Sequence, residues 1–145
     1  MIHFKYKGEP IGKGRPRVTA RGGKFAHAYT PKRTKDFEDA IRFEFMASNC
    51  EQMPVYKKDE ALDATMIFAF EVPKSYSKKK REACLKGEIP MTKRPDTDNC
   101  VKSVLDALVG ACFEDDSSVV RVMAEKIYAE EPYVEVTIHR IGGRK

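Results

Sequence analysis

The sequence lacks the features that mark membrane proteins, secreted proteins and multidomain chains. No apolar run approaches the length of about 18 residues that a membrane span needs, and the stretch MIHFKYKGEP lacks the hydrophobic region of a signal peptide. Internal repeats and linker segments are also missing. These absences predict a cytoplasmic protein with no membrane partner, built as a single domain over residues 1–145.

Cysteines are few, and their spacing excludes the usual metal and disulfide arrangements. None of them forms a CxxC pair or has a nearby histidine partner. We therefore expect neither a structural zinc site nor a disulfide framework, but reduced and mostly buried thiols. The cysteines are Cys50, Cys84, Cys100 and Cys112.

Acidic residues are scarce in two segments of the chain. Residues 1–35 contain ten Lys or Arg and the single acid Glu9, and residues 74–94 contain eight Lys or Arg and two acids. These segments carry net charges of +9 and +6, whereas the rest of the chain carries −10. Basic surface segments attract polyanions such as nucleic acids. The alternative is a solvated face that is kept charged for solubility.

Four segments are predicted to be strands, and the first two show the alternation of apolar and polar residues that is typical of a strand with one buried face. They are residues 1–8, 62–72, 119–130 and 133–141, and a tight connection through Glu131-Pro132 joins the last two. The residues expected to face inward in the last segment are Val134, Val136 and Ile138.

Three segments have the apolar spacing or the end signals of helices. Residues 31–48 place phenylalanines and aliphatic residues at helical spacing after Pro31. A short basic helix follows Ser77 as its N-cap and is ended by Gly87. A third helix is predicted from about residue 99 to residue 109. Residues 12–31 are rich in glycine and basic residues and are interpreted as a long loop or a loose hairpin. The fold class is therefore α+β, with a small mixed, mainly antiparallel sheet of about four or five strands and about three helices.

The stretch KRPDTDNCVK places two carboxylates where the third helix begins. In extended backbone Asp96 and Asp98 would project from one face, about 7 Å apart at Cα, and could converge on one cation. Asp98 could also lie at or just before the N-cap, at the positive end of the helix dipole. Lys102 and Asp106 follow at intervals of four residues, so one helix face carries alternating carboxylate and ammonium groups.

A second acidic group, Glu114-Asp115-Asp116, follows the third helix. If the chain turns back there, these acids approach the first pair, and clustered carboxylates are commonly neutralised by a divalent cation. Ligands that are all oxygen suit Mg²⁺ or Mn²⁺ rather than zinc. Each acid also has a structural interpretation as a cap, a turn residue or a surface salt bridge. From spacing alone, both interpretations stay open.

The motif RPDTDNCVKSVLDAL followed by FEDDSSV resembles the signature of the RusA family of Holliday junction resolvases. The upstream segments GKGRPR, TPKRTKDFEDAI and SKKKREACLKGEIPMTKRPD follow in the order which that family shows. The resemblance covers nearly the whole chain and is weakest over residues 46–62. It implies a homodimeric, Mg²⁺-dependent endodeoxyribonuclease that makes paired nicks in four-way DNA junctions and uses no small-molecule cofactor.

The resemblance also implies roles for particular residues. It assigns metal-binding carboxylates to Asp96, Asp98 and Asp116, and the catalytic lysine to Lys102. Spacing alone does not separate Asp116 from Asp115, and Glu114 is a further candidate. We expect Mg²⁺ as the cofactor, with Mn²⁺ as a possible substitute.

The basic segments are expected to contact DNA phosphates, which position a substrate without reading its sequence. Two other hypotheses stay open: a catalytically silent DNA-binding module, and a Mg²⁺-dependent nuclease acting on other DNA or RNA structures. The residues predicted to contact DNA are Lys13, Arg15, Arg17, Lys32, Lys78, Lys79, Lys80 and Arg94.

Overall fold

A four-stranded mixed sheet and three helices form the fold in the computed structural model, which describes residues 1–14, 17–21, 25–29, 31–49 and 52–142. In chain order the elements are β1 (Ile2–Lys7), β2 (Arg17–Arg21), β3 (Phe25–Tyr29), α1 (Lys32–Ser48), β4 (Leu62–Glu71), α2 (Lys78–Leu85), α3 (Thr97–Leu108), β5 (Val119–Ala129) and β6 (Tyr133–Arg140). A short 3₁₀-helix, Asp116–Ser118, directly precedes β5.

The strand order of the sheet is β1-β6-β4-β5. β6 pairs antiparallel with β1 and with β4, whereas β4 and β5 run parallel. The short connection at residues 130–132 joins β5 to β6, but the two strands lie on opposite sides of β4 and do not pair. A parallel pair needs a long crossover, and here the crossover contains α2 and α3. The predicted α+β class with a mainly antiparallel sheet is confirmed.

Helix α1 packs against the first strand through aromatic contacts. The rings of Phe4 and Phe45 meet edge to face at 6.1 Å between centroids, and those of Tyr6 and Phe37 meet at 5.7 Å. Ile41 is fully buried between these two phenylalanines of the helix. The predicted helix over residues 31–48 and its apolar stripe are therefore confirmed.

Two boundaries differ from the prediction. Helix α3 begins at Thr97 rather than near residue 99, because the backbone N–H of Cys100 donates to the carbonyl oxygen of Asp96 and makes Asp96 the N-cap residue. The alternation in β4 is also incomplete, since Asp63 and Ala69 are buried along with the expected face. A strand with neighbours on both sides and helices in contact with the sheet is covered more fully than a half-exposed strand.

The basic segment after Gly14 contains an antiparallel hairpin of β2 and β3, in which Arg17 pairs with Tyr29 and Arg21 with Phe25. This agrees with the loose hairpin that the sequence indicated. The described side chains of Cys84, Cys100 and Cys112 are free and buried, and Cys50 lies outside the described residues. Within the described ranges, none of the helices is both long and apolar enough to span a bilayer.

Candidate active site around helix α3

Helix α3 is amphipathic, and its buried face fixes the direction of its polar face. Cys100, Val104 and Leu108 are fully buried in the core. The hydroxyl of Ser103, also buried, donates to the carbonyl oxygens of Ile11 at 2.7 Å and Cys100 at 2.9 Å. The helix is therefore held against both the core and the segment after β1, and its other side turns outward.

Asp96 and Asp98 lie at the outward-facing start of this helix. Asp96 has extended backbone angles and occupies the N-cap position, yet its carboxylate makes no capping hydrogen bond. Asp98 lies in the first turn, where its charge faces the positive end of the helix dipole. Asp96 is therefore the extended residue before the helix, and Asp98 lies inside the first turn rather than at or before the N-cap. Both carboxylates are exposed and make no ion pair with another described residue, so their oxygens are available to a ligand.

Lys102 lies one turn beyond Asp98 and contacts two carboxylates. Its Nζ is 2.9 Å from Oδ1 of Asp106 and 3.2 Å from Oδ2 of Asp116. Hydrogen bonding to Asp106, and then to Asp116, raises the pKa of Lys102, so the side chain is a stable cation at neutral pH. The turn between α3 and β5 thus brings Asp116, from the second acidic group, into contact with Lys102 on the polar face of α3.

The two neighbouring aspartates of the second acidic group, Asp115 and Asp116, make different hydrogen bonds. Asp115 caps the 3₁₀-helix: its carboxylate accepts hydrogen bonds from the backbone N–H and the hydroxyl of Ser117, and these bonds lower the pKa of Asp115. Asp116 instead directs its carboxylate to Lys102. Glu114 is exposed and makes no ion pair with another described residue. Spacing could not separate these three acids, but their contacts differ clearly.

Lys13 joins the same network from the N-terminal segment. Its Nζ lies 2.6 Å from Oε1 of Glu38 on α1 and 3.0 Å from Oδ2 of Asp106 on α3. Partial burial lowers the pKa of Lys13, but the hydrogen bonds to Glu38 and Asp106 outweigh this and the net shift is upward. For Asp106 the signs are reversed. Partial burial raises the pKa of its carboxyl group, but the hydrogen bonds from Lys102 and Lys13 outweigh this effect, and the net shift is downward. The sequence analysis placed Asp106 on the polar helix face beside Lys102, but it did not identify Glu38 or the contact with Lys13.

The carboxylates suit a hard divalent cation by their chemistry, but they are not gathered into one closed cluster. Asp96 and Asp98 have free oxygens, and Asp116 uses one oxygen for Lys102. Over the residues that the structure describes, no group of three or more His, Cys, Asp or Glu side chains is close enough to hold a metal ion. The donor types fit Mg²⁺, and Asp116 is shared with an ammonium.

A cleft of about 880 Å³ opens beside Asp96. The segment after β1, the start of α1 and the segment before α3 line it, and the cations Lys13, Arg33 and Arg94 lie along it. Arg33 pairs only loosely with Glu9, at 3.8 Å, and its side chain is largely exposed. Basic side chains therefore line the cleft beside the Asp96 carboxylate. Arg33 is a further cation that was not among the residues predicted to contact DNA.

The other predicted DNA contacts fall in several places. Lys13 is committed to carboxylates rather than open to a phosphate, which departs from the prediction. Arg15 lies outside the described residues, and Arg17 is described in its backbone alone, on β2. Lys32 is exposed at the start of α1. The α2 lysines Lys78, Lys79 and Lys80 are all exposed, and Lys80 lies 3.9 Å above the ring of Tyr76.

Comparison with known proteins agrees with the resemblance that the motifs carry. The sequence model of the family described as endodeoxyribonuclease RusA matches residues 7–139. The chain is also similar to the uncharacterized protein YqaN of Bacillus subtilis (strain 168), with 37% identity over 140 residues that cover 97% of this chain and 96% of that protein. The chain belongs to the RusA endodeoxyribonuclease family.

Proposed function

We propose that this RusA-family protein is a Mg²⁺-dependent endodeoxyribonuclease that resolves four-way DNA junctions by paired nicks and acts as a homodimer. The observation that carries the proposal is the pair of free carboxylates, Asp96 and Asp98, at the start of α3, one turn from a lysine that is itself held by Asp116. Free carboxylates beside a fixed cation, at the end of a basic cleft, suit phosphodiester hydrolysis.

Asp96, Asp98 and Asp116 would hold Mg²⁺, with Mn²⁺ as a possible substitute, and binding would draw together three carboxylates that are not clustered among the described residues. Bound there, the metal would supply an activated water and neutralise charge on the phosphoryl oxygens. The chain's own contribution is to keep two of the carboxylates unpaired: Asp96 has no capping bond to give up, and Asp98 is stabilised by the helix dipole. Asp115 is the less suitable neighbour because its Oδ2 accepts two hydrogen bonds from Ser117 and its carboxylate caps the 3₁₀-helix.

Lys102 would stabilise the negative charge that develops on the phosphate or the leaving oxygen. Its raised pKa keeps it protonated, and two carboxylates restrict the position of Nζ. A charge that is already in place when the reaction begins costs no reorganisation, which is why fixed cations are effective in catalysis.

The cleft beside Asp96 would receive a DNA strand. Arg33 and Arg94 line it, and exposed lysines on α2 and Lys32 on α1 add positive surface. Phosphate contacts of this kind position the backbone without selecting sequence. A four-way junction can present equivalent phosphates on opposing strands, so two copies of one site related by a two-fold axis match it.

The decisive experiment is cleavage of a synthetic immobile four-way junction with and without Mg²⁺. The wild type should cleave it in the presence of Mg²⁺, whereas Asp98→Asn should bind the junction as well or better and fail to cleave it. Asp39→Asn is the matched control, because Asp39 is an exposed acid on α1 that makes no ion pair with another described residue.

Two results would redirect the proposal. Junction binding without Mg²⁺-dependent cleavage by the wild type would indicate a catalytically silent DNA-binding module. Equal cleavage of a linear duplex competitor in the same tube would indicate a general nuclease. Binding should weaken steeply with salt in either case, by a log–log slope of roughly 0.9 per phosphate neutralised.

A further inference from the structure

Lys102 has two acidic partners, and only one of them is free to hold it throughout the reaction. Under the proposed function, Asp116 is a metal ligand, so its carboxylate is shared between the lysine and the metal. Asp106 has no such second task and lies at 2.9 Å from Nζ. The contact that can keep Lys102 in place is therefore the one to Asp106.

Asp106 is itself held from the other side. Its Oδ1 contacts Lys102, and its Oδ2 contacts Nζ of Lys13 at 3.0 Å, so each oxygen binds a different ammonium. These two contacts fix the orientation of the carboxylate, whereas in an ordinary surface ion pair one oxygen is unpaired and the carboxylate can rotate. The side chain of Asp106 is 22% exposed, against 52% for Lys102, so the fixed end of the pair is the more buried one.

Lys13 is anchored at both its backbone and its side chain. Its N–H donates to the carbonyl oxygen of Asn99 at 2.9 Å, and its Nζ contacts Glu38 at 2.6 Å. Lys13 and Glu38 have side chains that are 21% and 19% exposed, so this end of the network is mostly shielded from water. The network thus ties α1 and the N-terminal segment to the polar face of α3.

We propose that Asp106 is a positioning residue for Lys102, and that the ion pair between Lys13 and Glu38 fixes Asp106 in turn. The proposal rests on the proposed function, because it assumes that Lys102 acts on the scissile phosphate. Small displacements matter here, since misplacing a catalytic group by about 1 Å can cost on the order of 100-fold in rate. The alternative is a helix-surface salt bridge that affects stability slightly and catalysis not at all.

The test is a double-mutant cycle on cleavage of the synthetic immobile junction in Mg²⁺, with protein in excess so that one turnover is measured. Asp106→Asn should slow cleavage by roughly 10- to 100-fold while changing junction affinity less than about 3-fold. In the Lys102→Ala background, Asp106→Asn should cause no further loss, because the group that it positions is already gone.

A second variant reports on the network if Asp106→Asn folds poorly. Glu38→Gln keeps the shape of the side chain, removes its charge and lies far along the chain from α3, and should slow cleavage by about 2- to 10-fold. Its matched control is Asp39→Asn, the exposed acid next to it on α1, which should cleave at the wild-type rate.

The outcomes separate this inference from the proposed function. If Asp106→Asn slows the Lys102→Ala variant by the same factor as it slows the wild type, Asp106 acts independently of Lys102 and the inference is overturned. A wild-type rate in both Asp106→Asn and Glu38→Gln would overturn it as well. If Lys102→Ala itself cleaves at the wild-type rate, the catalytic role of Lys102 in the proposed function fails, and this inference fails with it.

Discussion

Replacing Lys102 with alanine should slow junction cleavage by at least about 100-fold and leave junction affinity nearly unchanged. The ammonium lies 2.9 Å from Asp106 and 3.2 Å from Asp116, and its loss removes a cation whose position is fixed before the reaction. Removing one such electrostatic contact typically costs about 2.7 to 4 kcal/mol in the transition state. One phosphate contact among many contributes little to binding, so affinity should be spared.

The same substitution should change stability far less. The side chain of Lys102 is 52% exposed, and exposed ion pairs contribute about 0 to 1 kcal/mol to the free energy of unfolding. Without the ammonium, the carboxylates of Asp106 and Asp116 are separated by at most about 6 Å, since each lies about 3 Å from Nζ. In water two such charges repel by about 0.7 kcal/mol at about 6 Å and by about 1 kcal/mol at about 4 Å, before salt screening. A stability loss of this size cannot account for a 100-fold rate loss through unfolding.

The assay is single-turnover cleavage of a labelled immobile junction, with the dissociation constant and the urea midpoint measured on the same preparations. Lys57→Ala is the control, because Lys57 is an exposed lysine whose side chain makes no hydrogen bond or ion pair with another described residue. An equal loss in binding and in rate would make Lys102 a residue that only positions DNA. Nearly normal turnover would refute the reasoning and leave Lys102 as part of a surface salt bridge.

Three further predictions follow from individual contacts. Asp116→Asn should abolish cleavage and Asp115→Asn should reduce it only mildly, because Asp115 caps the 3₁₀-helix; the reverse order in a cleavage assay would exchange their roles. Nζ of Lys126 donates to the backbone carbonyl oxygens of Lys93 at 2.6 Å and Pro95 at 2.9 Å, just before Asp96. Lys126→Met should therefore lower the free energy of unfolding by about 1 to 3 kcal/mol in urea titrations, and it should also slow cleavage. An unchanged urea midpoint would contradict this. Burial raises the pKa of the Cys100 thiol to about 11 and that of the Cys112 thiol to about 12, and only the thiolate reacts with alkylating agents. Alkylation of these two thiols in the native protein at pH 8 should therefore be slow, and it should accelerate as the pH rises or the protein unfolds. Rapid labelling of the native protein, measured by mass spectrometry, would argue against burial.

The sequence by itself determined the local elements, because the patterns that specify them are local. Apolar spacing located α1 and the strands, and Ser77 before a basic stretch with Gly87 behind it predicted α2. The structure agrees in detail: the Ser77 hydroxyl accepts from the N–H of Lys80 at 3.2 Å, and Gly87 has a φ of +80°. The family resemblance was equally readable, because its motif lies in two short stretches.

The start of α3 shows where local reading reaches its limit. Asp96, Asp98 and Asn99 are all residues that favour a cap, so composition could not decide among them. In the structure Asp96 is the N-cap residue, because its carbonyl oxygen accepts the hydrogen bond from the backbone N–H of Cys100. The buried face of the helix fixes the rotation of the helix about its axis. Asp96 is therefore the extended residue before the helix, and Asp98 lies within its first turn.

Only the tertiary structure decided which charged groups meet. Lys13 appeared in the sequence as a phosphate contact, yet it lies between Glu38 and Asp106, which come from two different helices. Asp115 and Asp116 are adjacent in sequence, but only Asp116 points toward Lys102. Ion pairs between distant segments form only where helix packing brings two charged atoms within a few ångströms of each other. The spacing of residues along the chain does not determine that packing.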